Sequence, residues 1–243
     1  MSAPALAFKA YEIEEFVDVH FFRRLGIVVA HAARLVGLSP NAVSVLAGLV
    51  GGVGGALLVS DRWVPVGVVL IVAHGVFDSA DGQLARMTGV TSELGRLLDG
   101  LAGYVTHMAA YLAILIRILQ DGGAWWMIGV ALLAGVATAI HAQMYDYHRT
   151  TYATIVLKGQ ARPAVVTPDG PNALVRGYER IQRRMAGLHP EVERVIAARA
   201  RAGVARPEDR ERYRACFYSR VRGWNLFGDN VRRLGFILLA WAH

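Results

Sequence analysis

Apolar and polar positions divide this chain into blocks of different texture. Residues 12–36 follow a helical period: Phe16, Val17, Phe21, Leu25, Val28 and Val29 recur among Glu14, Asp18, Arg23, Arg24 and Arg34. The pattern predicts an amphipathic helix that is too polar to span a bilayer and suits its interface. At "LSPNAVS" the chain restarts, with Ser39 as an N-cap and Pro40 as the first helical residue. Residues 42–60, 100–116 and 122–144 then run without Asp, Glu, Lys or Arg. Each run is near the roughly 20 residues that a spanning helix needs. Residues 63–77 are shorter and reach that length only if the helix continues through Asp78 and Asp81. Four spans are therefore expected, at about 40–60, 63–86, 92–119 and 122–147, reversed at "SDRW", "MTGVTSE" and "QDGG".

Beyond 148 the texture changes to basic. Pro and Gly in "ARPAVVTPDGPN" argue for a loop. Three helical pieces follow, broken at His189-Pro190 and at Gly203. The last piece opens with Pro207, Glu208 and Asp209 and closes on arginines, as the helix dipole favours. "LGFILLAWAH" then reads as the start of a fifth span. The expected organisation is an interfacial segment at 1–38 and a four-helix membrane core at 39–148. A basic helical insert at 149–223 and a partial fifth membrane helix at 224–243 complete it. No repeat of 20–50 residues is evident.

Composition agrees with this division. The chain has 243 residues, 54% of them hydrophobic before glycine is counted, against about 45–50% with glycine in a typical soluble domain. The first apolar run follows an acidic patch, not a short basic one, so no cleavable signal peptide is expected. The single cysteine, Cys216, excludes an internal disulfide. Of the 26 Lys and Arg, 16 lie between Arg149 and Arg222, against 7 acids. Beside membrane helices, such an excess points to the anionic lipid of the cytosolic surface and not to nucleic acid. The turn at 86–96 carries Arg86 and Arg96. Both basic loops and the N-terminal segment are therefore expected in the cytosol, and the turns near 61 and 117–121 opposite. In the first span, Gly48, Gly51, Gly52 and Gly55 at four-residue spacing suit close packing within the bundle, or a homodimer seam.

The chemistry concentrates in "DSADGQLARMTGVTSELGRLLDGLAG", residues 78–103. Asp78 and Asp81 are i and i+3, on one helical face. Asp99 lies a few residues into the next helix, from where it can point back toward them. Carboxylates converging in low dielectric repel one another unless a cation holds them, and acids at bilayer depth are functional candidates by default. Pairing with Arg86 and Arg96 is the alternative. Oxygen-only ligation suits Mg²⁺ or Mn²⁺. Gly82 would let a ligand approach the backbone, and Gly95 would let two helices lie close.

Asp78-x2-Asp81-Gly82-x2-Ala85-Arg86-x8-Gly95-x3-Asp99 resembles the signature of the CDP-alcohol phosphotransferases, integral membrane enzymes also called CDP-alcohol phosphatidyltransferases. The resemblance covers about 12–148. It implies an all-α polytopic helical bundle with an N-terminal interfacial helix. It also implies transfer of a phosphoalcohol group, phosphatidyl by default, from a CDP-linked donor to an acceptor alcohol with release of CMP. CDP-diacylglycerol with a small polar alcohol is the default pair, a lipid acceptor with a small CDP-linked donor is the alternative, and phospholipid synthesis is the default setting. On this resemblance Asp78, Asp81 and Asp99 hold divalent metal on the donor pyrophosphate, and Gly82, Ala85, Arg86 and Gly95 line the substrate site. Arg86 suits helix-end or phosphate contacts.

The family pattern continues with another Asp, given metal-binding and general-base duty, where this chain has Gly103. The C-terminus also reads as shortened. His107, one turn after Gly103, and His74, one turn before Asp78, are the candidates to replace the base. His141, Asp146 and His148 either line the acceptor site or sit in the headgroup zone. Two rivals remain. One is a family member that binds CDP-lipid or acts as a scaffold without turnover. The other is an ion-coupled transporter, against which the signature spacing and the lack of a discontinuous-helix repeat argue.

Overall fold

The computed structural model describes residues 11–90, 93–161, 184–187 and 189–242. The expected loop after Ala161 and most of the first helical piece of the insert lie outside the described residues. The described chain is helical, and its only bridges are isolated ones, Gln160 with Val204 and Arg201 with Val204. Two compact units form. Among the described residues, the first comprises 15–136 and 229–242, and the second 11–14 and 137–228.

In the first unit, a π-helical turn at Asp18–Phe22 leads into α1, Arg23–Leu35, so the interfacial segment is helical but not uniformly α. Ser39 caps α2, Pro40–Leu57, by accepting from the Ala42 N–H at 3.2 Å, with Pro40 in the first turn. Helix α3, Val64–Thr88, runs through Asp78 and Asp81 and stops at Gly89, whose φ of +70° is the left-handed conformation that glycine adopts freely. Helix α4 is Glu93–Gln120. A turn at Gly122, with φ +87°, delays α5 to Met127–Tyr152, five residues later than the apolar pattern alone predicts. The helix also continues beyond 147 into a π-helical turn, Ala153–Leu157. Tyr152, Ile155 and Val156 are buried in the second unit's core, and that packing draws the helix onward.

The small residues of α2 explain how three spans pack. A Cβ on Gly55 would lie 2.8 Å from backbone atoms of Thr106 and Ala110 in α4, and one on Gly54 would lie 3.0 Å from Gly67 O in α3. The glycine stripe therefore serves contact within the bundle. Four helices, Pro40–Leu57, Val64–Thr88, Leu98–Gln120 and Met127–Leu157, are long and apolar enough to cross a membrane. Their outward residues include Leu49, Val53, Val69, Leu112, Leu132 and Leu133, all exposed. Such a belt is unfavourable in water and natural in lipid.

The last apolar run forms a shorter helix, Asp229–Ala242. Phe236 and Ala240 join a core of Leu58, Val64, Ile71, Ala110, Ala113 and Ile114. Arg117 anchors its far end, donating to Ala240 O at 2.9 Å and pairing with Asp61.

In the second unit, helix α6, His189–Arg199, and helix α7, Pro207–Gly223, follow the expected breaks. Helix α7 has Pro207 at its start, Glu208 and Asp209 in its first turn, and Arg220 and Arg222 in its last. The C-terminal helix at Asp229–Ala242 is α8.

Candidate functional site

The signature residues sit where α3 and α4 carry them. Asp78 is half-buried on α3, and Asp81, one turn later, is 5% exposed. The Ser44 hydroxyl of α2 donates to Asp81 Oδ2 at 2.5 Å. The charges of Asp78, on the same face, and Arg86 both act on this carboxylate. Gly82, Ala85 and Gly95 are half-buried, and Arg86 is exposed on the last turn of α3. A Cβ on Gly82 would stand 3.5 Å from Arg86 Nη1, so the guanidinium folds back along the helix toward Asp81. Asp99 is exposed on α4.

Among the described residues no group of three or more His, Cys, Asp or Glu is gathered as a cation site. The oxygen donors are nonetheless of the right kind. Two carboxylates share one face of α3, and Mg²⁺ usually takes only one or two carboxylates together with substrate phosphate and water. The Ser44 hydroxyl fixes one of those carboxylates as outer-shell partners of metal ligands do. The set fits a divalent cation that is completed by substrate.

The two histidines differ in what surrounds them. His74 is fully buried, its Nδ1 lying 3.0 Å from Ala47 O, while its Nε2 is buried without a hydrogen-bond partner. A nitrogen that faces a carbonyl carries the proton, which leaves the lone pair on Nε2. His107 lies between two acceptors. Its Nδ1 is 2.7 Å from Gly103 O, and its Nε2 is 3.0 Å from Asp229 Oδ1, at ion-pair distance though poorly aligned for a hydrogen bond. At Gly103 a Cβ would meet no atom within 4 Å.

Ser44, Asp229 and Arg233 were not singled out from the sequence as site residues. Ser44 carries no sequence signal beyond lying in the first turns of a span. Asp229, Arg232 and Arg233 do carry one, as charges interrupting an apolar run.

His141, Asp146 and His148 belong to the second unit. His148 stacks on Trp224 with ring centroids 5.6 Å apart and meets His189 at 4.7 Å, and His141 lies 5.0 Å from Trp224. Asp146 is exposed. Behind them, Tyr147 and Thr151 both donate to buried Glu193. His189 Nε2 is 2.5 Å from the Tyr213 hydroxyl. Burial, with the neighbouring His148, pushes His189 down to about 4, and burial pushes the Tyr213 phenol up.

A family model described as CDP-alcohol phosphatidyltransferase matches residues 37–166, just over half of the chain. The matched range contains α2, α3 and α4 with the whole 78–103 stretch. No curated protein matches the chain.

Proposed function

The chain belongs to the CDP-alcohol phosphatidyltransferase family, and from that premise we propose that it moves a phosphatidyl group from CDP-diacylglycerol to a small polar alcohol. The family itself comprises membrane transferases of phospholipid synthesis that are generally dependent on a divalent metal. In the proposed reaction the acceptor hydroxyl oxygen bonds to the phosphorus that bears the diacylglycerol. The bond from that phosphorus to the bridging oxygen breaks, CMP leaves, and the hydroxyl proton passes to a base.

Asp78, Asp81 and Asp99 are the proposed holders of Mg²⁺ or Mn²⁺. Bound there, the ion would neutralise charge on the pyrophosphate oxygens. Arg86, beside Gly82 at the helix end, is proposed to meet a donor phosphate. His74 is preferred to His107 as proton acceptor, because only His74 has a ring nitrogen without an acceptor oxygen against it. The active face is proposed to open to the cytosol, with the basic insert on anionic lipid.

The observation that supports this reading most is Asp81 beside Asp78 on α3, held by Ser44, within the matched segment. A second reading, donor binding without turnover, draws on Gly103 and the occupied His107. CMP release from the purified full chain separates the two. It should require a divalent cation and an alcohol from a panel offered with CDP-diacylglycerol. Asp78→Asn and Asp99→Asn should remove the cation dependence of donor binding. Cation-dependent binding with no CMP release from any alcohol would establish the second reading.

A further inference from the structure

Titratable side chains meet where α8 packs on α3 and α4. Asp229 Oδ1 is 3.0 Å from His107 Nε2 and 3.5 Å from Arg232 Nη2, and Oδ2 pairs with Arg233 Nη2. Arg233 is only 7% exposed, and its guanidinium lies 5.1 Å from the centre of the Phe22 ring. It fills the space that Gly75 leaves on α3, where a Cβ would come within 2.5 Å of Nη1. Gly75 stands one turn before Asp78 on the same face of α3, so the guanidinium packs one turn from that carboxylate, while its Nη1 also donates to Asn230 Oδ1 at 3.3 Å. Asp18 and Glu15 already receive Asn230 Nδ2, at 3.0 and 2.6 Å.

Arg233 thus stands between two claimants from different helices. A buried guanidinium that loses its partner takes a remaining carboxylate within reach, because a buried charge left alone is costly. Asp18 and Glu15 are already engaged by Asn230, so on α3 that carboxylate would be Asp78, one turn from Gly75. An arginine and a divalent cation compete for the same oxygen lone pairs, so such a switch would close the cation site.

The geometry points to Asp229 as a positioning residue: it holds Arg233 away from Asp78 and keeps that carboxylate open to the divalent cation. The inference rests on the proposed reading of Asp78 as a cation ligand. The arrangement is economical, since Asp229 and Arg233 are i and i+4 on one helix and pair without help from elsewhere. It also gives α8 a part in the site although it lies far from the signature in sequence.

The test is Mn²⁺ binding to the full chain in lipid nanodiscs, read from the paramagnetic resonance of free Mn²⁺, with CMP release from CDP-diacylglycerol measured in parallel. Asp229→Asn should weaken Mn²⁺ binding by about tenfold or more, the scale of outer-shell effects. Asp229→Glu should keep it. Adding Arg233→Gln to Asp229→Asn should restore it, because the displaced cation is then gone; loss of packing alone would make the double variant worse. Unchanged affinity in Asp229→Asn, or a double variant as weak as the single, overturns the proposal. If Asp229→Asn does not fold, Arg233→Gln alone decides: binding at least as tight as in the native chain supports the role, and weaker binding overturns it. The predicted Mn²⁺ pattern without CMP release would reject the transfer reaction and leave this role standing. CMP release with no such pattern would do the reverse.

Discussion

The Ser44 hydroxyl lies 2.5 Å from Asp81 Oδ2, joining the start of α2 to the acidic face of α3 across 37 residues of sequence. Asp81 is almost fully buried, so this donor decides which way its second oxygen points. Ser44→Ala should lower Mn²⁺ affinity by about 10–100-fold, the range seen for outer-shell partners of metal ligands. Ser44→Thr, which keeps the hydroxyl, should lose much less. Equal losses in both variants would show that side-chain volume, not the hydrogen bond, matters there.

Gly55 and Gly103 make opposite predictions for the same substitution. At Gly55 an added methyl would meet the backbone of α4 at 2.8 Å, whereas at Gly103 it would meet nothing within 4 Å. Gly55→Ala should destabilise the chain by about 1–3 kcal/mol, the usual cost of overpacking. Gly103→Ala should stabilise it or leave it unchanged, since alanine suits a helix interior better. Melting midpoints of the two variants in the same detergent provide the comparison.

Gly103 also bears on rate. Gly103→Asp would place a carboxylate one turn from Asp99 with room to accept it. CMP release should rise within the roughly 10²–10⁴-fold range of a restored general base. His74→Ala should abolish native CMP release, while His107→Ala should reduce it less. Full native activity with both histidines removed, and no gain from Gly103→Asp, would mean that neither position supplies the base.

Cys216 is exposed on α7 and is the only cysteine in the chain. With the basic insert in the cytosol, an impermeant thiol reagent should label it in inverted vesicles and not in right-side-out cells. Labelling from outside would reverse the proposed orientation and place the signature acids on the wrong face.

His189 gives a pH dependence. Its folded value, about 4, lies below the ordinary 6.5, because burial and His148 disfavour the imidazolium. The unfolded chain therefore binds more protons between those values. The contribution of neutral His189 is complete above about pH 6.5 and is lost as pH falls toward 4, with a slope of at most about 1.4 kcal/mol per pH unit. The melting midpoint should fall across that window, and His189→Gln should flatten the fall. An unaltered acid limb in His189→Gln would assign it to other groups.

What the sequence determined by itself is what depends on neighbours along the chain. Ser39-Pro40 opens α2, Gly89 closes α3, and Pro207 with two acids opens α7, because caps and dipole partners act within one turn. The length of α3 was legible for a related reason: residues 63–77 cannot span unless Asp78 and Asp81 are helical, and they are. The spacing of those two acids then fixed their common face.

The tertiary structure decided everything that depends on the register between helices distant in sequence. No local pattern tells which serine reaches Asp81, or that Asp229 meets His107 from the last helix. The histidines show the difference most clearly. Both lie one turn from a signature position, and as sequence they are equivalent. Only packing leaves Nε2 of His74 without a partner while setting an acceptor against each nitrogen of His107. The course of α5 was settled the same way. Its hydrophobicity permits a start at 122, but the turn at Gly122 and the burial of Tyr152, Ile155 and Val156 shift the helix toward its C-terminal partners. Local preferences set which segments can be helices; the fit of one surface against another sets where each ends and which side chains meet.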